Sequence, residues 1–284
     1  WTDTPDDAIS FEPETGRLWV HVADAAALVA PDSPLDLDAR ARATSLYLPE
    51  AVVPMLPEAA TPALGLGLGE VSPALSFALK VNAEGELTEV EVVPSLVHVQ
   101  RLSYEEAETR LTEEPFRTIY ALGLASEARR QRDGAMRVDM PEVSVRVRDG
   151  DVTIRTIPPL RSRDLVQYAM ILAGEAAARF GTTRGIPLPF ATQEPPDYVD
   201  FDDGQSQSLS AMFARRRTFR RSQYRSVPAP HSGLGLSAYA QATSPMRRYL
   251  DLVVHQQLRA YLANRPLLTP EQILERVGAV EAVL

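Results

Sequence analysis

The 284-residue chain is 45% hydrophobic, enough to bury a sizeable core in one large domain or two small ones. It contains no cysteine, which excludes disulfides and thiolate metal sites; no apolar run reaches membrane-span length and no basic-then-apolar leader opens it, so a soluble, cytoplasmic protein without membrane contact is expected. The net charge of −9 argues against nonspecific attraction to nucleic acid over the whole surface, but residues 204–250 hold eight arginines and no acid while the other 237 residues carry −17.

In chain order, "AISFEP", the turn "ETGR" and "LWVHVAD" alternate like paired strands. Ser33 and Pro34 open a helix through "LDLDARARATSLYL", which places Tyr47 at its end. The proline-rich "LPEAVVPMLPEAATP" reads as loop. "LSFALKV", the turn "NAEG" and "ELTEVEVVPSLVHVQR" form a second antiparallel ribbon. Ser103 and Glu106 make a capping box for "YEEAETRL", with Tyr104 directly after the cap, and "FRTIYALGLASEARRQR" is a longer amphipathic helix. "VSVRVRDGDVTIR" is a hairpin with an Asp-Gly turn. Helices then dominate, at roughly 162–180, 206–223, 243–263 and from 269 onward, and "IPLPFATQEPPDYVDFDDG" reads as a long loop or linker. Strands first and helices after imply an α+β fold, with a mostly antiparallel sheet in the first half packed against the helices of the second.

Three stretches carry candidate chemistry. In "ATSPMRRYLDLVVHQQL", Ser244 and Pro245 read as N-cap and first helical residue, which puts Arg247 and Arg248 in a first turn where the dipole disfavours cations. Two guanidinium groups there suit a phosphate clamp; the plainer alternative pairs Arg247 with Asp251 and leaves Arg248 solvated. "DTPDDAIS" supplies Asp3, Asp6 and Asp7, clustered hard oxygens of the kind Mg²⁺ selects, or a solvated acidic turn. Adjacent carboxylates on a regular strand would face opposite ways, so joint action needs the irregular backbone that Pro5 suggests. Tyr47 and Tyr104, both near element ends, can stack a base or be partly buried with satisfied hydroxyls. The arginines of "ARRRTFRRSQYR" suit a nucleic-acid backbone or one solvated helix face, and His21 and His255 read as packing residues.

"YAQATSPMRRYLDLVVHQQL" resembles the signature segment of the ribonuclease II family, and "DDAIS", "LWVHVAD", "YLPEAVVPMLP" and "HSGLGLSAY" follow that family's order and approximate spacing. The resemblance covers essentially residues 1–284, which it implies are one RNB-type catalytic domain, a piece of a longer protein whose flanking RNA-binding modules lie outside this chain. It implies a monomeric, divalent-metal-dependent exoribonuclease that works on single-stranded RNA from its 3′ end and releases nucleoside 5′-monophosphates. The cofactor would be Mg²⁺, with Mn²⁺ as a substitute. By motif position Asp6, Asp7 and Arg247 would be catalytic, Asp7, Asp6 and Asp3 would hold the metal, and Tyr47, Tyr104, Arg248 and Ser244 would contact RNA. Five positions depart from the family pattern: Thr4, where an aspartate is usual, Gln167 and Tyr168, where acids are usual, and Gln241-Ala242, where a histidine-aromatic pair is usual. Thr4, Gln167 and Tyr168 motivate the alternative of an RNA-binding module with a decayed metal centre.

Overall fold

The computed structural model describes residues 4–136, 141–196 and 208–283. Strands β1 (Asp7–Glu12), β2 (Arg17–Ala23), β5 (Ser72–Val81) and β6 (Leu87–Val97) form one antiparallel sheet in the order β1-β2-β5-β6. Strict alternation explains its two faces. Leu18, Val20 and Val22 of β2 and Leu75, Phe77 and Leu79 of β5 point into the core, whereas Ser10, Trp19, His21 and Ser76 occupy the other face.

Helix α5 (Arg161–Arg184) covers the apolar face. Its small residues Ala169, Ala173, Ala176 and Ala177 are buried and let it lie close to the sheet, and Leu172 and Phe180 fill the remaining space. Gly174 is required there, because a Cβ would lie 2.2 Å from the Tyr239 ring. Helix α4 (Phe116–Arg132) packs on α5 through Gly123 and Tyr168, and Tyr168 also stacks on Tyr120 at 6.4 Å. Tyr168 is therefore a core residue of the α4–α5 contact.

A second apolar cluster joins α1 (Pro34–Arg42), α7 (Tyr249–Leu262) and α8 (Pro270–Glu281) around Met55, Leu64, Leu252, Val253, Ile273 and Val277. Helix α7 lies between the two clusters: Val254 and Leu258 belong to the first, Leu250, Leu252 and Val253 to the second. All residues from Tyr249 to Leu258 are buried, so this helix is fixed on every side. Truncating one of its leucines to alanine costs about 2–5 kcal/mol.

Most sequence expectations match the structure. The capping box of α3 (Tyr104–Thr109), helix α4 and the hairpin β7 (Val143–Arg148)/β8 (Asp151–Thr156) stand where they were read. Four differ. Helix α1 stops at Arg42, because Ala43 turns out of it at φ 60° and its carbonyl accepts from Tyr249 N at 2.9 Å. The proline-rich stretch is not all loop: β3 (Leu46–Tyr47) pairs with β4 (Val52–Val53), and α2 (Ala60–Leu64) follows. The long loop contains β9 (Phe190–Thr192), paired with β10 (Gln223–Arg225), and the helix before β10 is α6 (Leu209–Thr218). Finally, α7 begins at Tyr249, not at Ser244.

Candidate active site

The last difference relocates the arginine pair. Ser244 does not cap a helix with its side chain; its N–H donates to the buried Asp251 carboxylate at 2.9 Å. Its carbonyl accepts from the N–H groups of both Arg247 (3.2 Å) and Arg248 (2.9 Å), which makes a turn. Arg248 is extended at φ −135°, ψ 121°, and bridges Thr44, while Ser45 N donates to Arg247 O at 3.0 Å. The two arginines thus sit on a short extended segment pinned by residues 43–45, ahead of the helix and outside its first turn. Arg248 is the N-cap of α7 and Arg247 precedes it, so neither is a first-turn residue. The plainer alternative is inverted as well: Arg248 pairs with Asp251 at 2.7 Å, and Arg247 reaches elsewhere.

Arg247 Nε donates to Asp6 Oδ2 at 2.9 Å, joining residues 241 positions apart. Asp6 Oδ1 accepts from Met246 N at 3.3 Å, and Asp6 O accepts from Ala23 N at 2.7 Å. Asp6 is buried just ahead of β1; Asp7 is the strand's first residue, half-buried, and makes no hydrogen bond among the described residues. Pro5 is held by Leu66 N, which donates to its carbonyl at 3.0 Å. This arrangement lets both carboxylates face one cleft. Burial pushes Asp6 up to about 7 despite the Arg247 guanidinium, and pushes Asp7 up to about 6 against the pull of Arg247 and Arg248. Asp7 touches solvent yet is heavily desolvated, because protein surrounds it on the cleft floor.

The cleft has a volume of about 1090 Å³ and is lined by Thr4, Asp6, Asp7, Tyr47, Tyr104 and Arg247, among others. Tyr47, on β3, is exposed; Tyr104 opens α3 and lies under the Arg163 guanidinium, 4.2 Å from its ring centroid. Burial first, then the neighbouring Asp7, raises the Tyr104 hydroxyl above its usual range. Ser162 Oγ donates to Tyr104 O at 2.8 Å and so ties α3 to α5. The structure therefore brings together Asp6, Asp7, Arg247, Tyr47 and Tyr104. Asp3 lies outside the described residues. Ser244 and Arg248 do not line the cleft, and neither do Gln167 and Tyr168.

Among the described residues no group of three or more His, Cys, Asp or Glu side chains is placed to hold a metal ion. Two adjacent cleft carboxylates, one without a protein partner, still fit a hydrated divalent cation, which takes one or two carboxylates and completes its shell with water and substrate phosphate.

Several cleft residues escaped the sequence reading: His21, His98, Arg101, Arg110 and Arg163. His21 does hold a packing position, with Ser10 at 3.0 Å and Ser76 at 2.7 Å, but it also faces the cleft, and burial lowers it to about 4, so it is neutral. Arg163 had a usable signal, since a cation in the first turn of α5 is the dipole conflict that was sought at Arg247 and Arg248. The arginine block does not reach the cleft. Arg215, Arg216 and Arg217 ride on α6, which has no buried residue, and Arg220 and Arg221 line a separate pocket of about 280 Å³ with Thr192, Glu194 and Gln223.

Comparison with known proteins identifies the fold and the family. A ribonuclease of Synechocystis, described as uncharacterised, is 39% identical over 293 aligned residues, covering 98% of this chain and 44% of its own length. Mycoplasma genitalium RNase R, solved in complex with ribose-methylated single-stranded RNA, has the same fold at TM-score 0.83 and 21% identity, covering 99% of this chain and 53% of that one. Yeast Ssd1, described as a pseudonuclease, also shares it, at TM-score 0.71 and 19% identity over 98% of this chain and 41% of its own. The chain spans about half the length of these proteins. The family model for the RNB domain matches residues 1–264, and the chain belongs to that family.

Proposed function

We propose that this chain is the catalytic domain of a 3′-to-5′ exoribonuclease that hydrolyses single-stranded RNA to nucleoside 5′-monophosphates. The observation that carries this reading is the 2.9 Å contact between Asp6 and Arg247, which sets an acid pair and a guanidinium side by side in a cleft that also holds two tyrosines.

Each residue then has a physical task. Asp6 accepts from Arg247 Nε and fixes the guanidinium plane, which leaves both Nη groups without a protein partner among the described residues and able to donate to the oxygens of a scissile phosphate. Asp7 is ionised above about pH 6. Tyr47, and Tyr104 on the face that Arg163 does not cover, offer ring surface to the terminal bases, and stacking of this kind requires unpaired bases, which selects single strands. Asp6 and Asp7 would hold a divalent cation, Mg²⁺ or Mn²⁺, which when bound supplies Lewis-acid stabilisation of the charge that develops on the phosphate.

One observation favours a second reading, an RNA-binding module without turnover: among the described residues no three acidic or histidine side chains are placed together to hold a metal ion. The protein incubated with Mg²⁺ or Mn²⁺ and an RNA with an accessible 3′ end separates the two. Release of nucleoside 5′-monophosphates is the expected result. Tight, salt-sensitive binding with the RNA left intact after prolonged incubation overturns the enzyme reading in favour of the module.

A further inference from the structure

We propose that Arg163 is a backbone-phosphate ligand of the cleft, held face-on by the Tyr104 ring, and that it grips bound single-stranded RNA at a phosphate other than the one engaged by Arg247. The inference rests on the RNA reading of the cleft and adds a binding residue to it.

The geometry starts from the stack. The Arg163 guanidinium carbon lies 4.2 Å from the Tyr104 centroid, well inside cation–π range. A stack occupies the face of a guanidinium but none of its N–H groups, which all lie in its plane. Arg163 Nε is buried and has no hydrogen-bond partner, and no carboxylate is within ion-pair reach of the side chain among the described residues. The other cleft cations differ. Arg110 is paired with Glu113 at 3.1 Å, the Arg247 charge is paired with Asp6 through Nε, and Arg101 also has a partner. An unneutralised guanidinium with a desolvated donor is costly to keep unless an anion completes it. Planar donors against the Tyr104 ring, in the cleft that Tyr47 also lines, match a nucleic-acid phosphate better than a protein carboxylate. Arg247 lines the same cleft as Arg163 and Tyr104, so a strand that meets the Tyr104 ring also passes a second guanidinium.

The test measures binding in the absence of divalent cation, so that it does not depend on turnover. A fluorescent single-stranded RNA is titrated with the parent chain, Arg163→Ala and Arg163→Lys over a range of salt. Arg163→Ala should weaken binding about 10-fold and flatten the slope of log K against log salt by about 0.7. Arg163→Lys should restore the slope but only part of the affinity, because a lysine keeps the charge and loses the planar fork. A series of RNAs, each with one uncharged methylphosphonate, then locates the contact: one position weakens the parent and has no effect on Arg163→Ala. If every methylphosphonate weakens parent and variant by the same factor, or if the salt slope is unchanged, the assignment is overturned while the nuclease reading stands. If the parent itself binds no single-stranded RNA, both fall together. Arg163→Gln repeats the comparison should the alanine variant fold poorly, and the same outcomes decide it.

Discussion

The two arginine-rich regions of this chain look alike in sequence and differ in kind once folded. Arg215, Arg216, Arg217, Arg220 and Arg221 form the densest run of cations, yet three of them lie on a helix with no buried residue and the other two line a pocket apart from the cleft. Arg247 and Arg248 are only two, but a backbone bridge at Thr44 and the buried α7 pin them in place. Arg247 meets an acid that burial has pushed up to about 7, so its interactions act in a partly desolvated setting. A solvated charge is screened and worth little, whereas a charge held by buried partners has strength and direction. Charge density in sequence marks where a long-range field arises; burial marks where a charge can take part in a reaction.

The largest effect that can break this comparison is at Asp7. If the cleft acids hold the cation used in hydrolysis, Asp7→Asn should lower mononucleotide release by about 10³-fold or more, and equal activity of parent and variant would remove the catalytic role of this end of the cleft. Arg247→Ala comes next, with kcat expected to fall about 10²- to 10³-fold and RNA affinity much less, since the guanidinium acts on charge that builds up at the phosphate. A variant with raised KM and unchanged kcat would instead make Arg247 a simple binding residue.

How much of this was legible in the sequence depended on how local the cause was. The Ser103/Glu106 box and the Asp149-Gly150 turn, with φ of 52° and 86°, are decided within a few residues, and each was readable. Ser244-Pro245 carried an equally good local signal for a helix start and misled, because Asp251 takes the Ser244 N–H and residues 43–45 pair with 247–249 from across the fold. Asp6, Asp7 and Arg247 were found through their motifs; nothing in local propensity brings together groups about 240 residues apart. Arg163 carried a local signal in the first turn of α5, but its partner Tyr104 is remote in sequence, so nothing local pointed that signal at the cleft.

A smaller effect sharpens the comparison from the other side. Arg215, Arg216 and Arg217 replaced together by alanine should weaken RNA binding only about 5-fold and flatten its salt dependence, with kcat preserved, as a diffuse field would predict. A loss of kcat comparable to that of Arg247→Ala would erase the distinction between the two regions.

The smallest effect concerns stability and has the opposite sign to the effect on activity. Burial raises Asp7 from 3.8 to about 6. Between those values the folded chain keeps a proton that the unfolded chain has released, so this group's contribution to stability declines as pH rises through that window and the decline is complete above it. Asparagine does not titrate. In the absence of divalent cation, Asp7→Asn should therefore melt at a higher temperature than the parent by a few degrees at pH 8, and at the same temperature near pH 4. An equal difference at both values would show that the carboxylate's ionisation is not what costs stability. The expected crossing, with activity lost where stability is gained, follows from placing a carboxylate where the fold disfavours its charge and the reaction requires it.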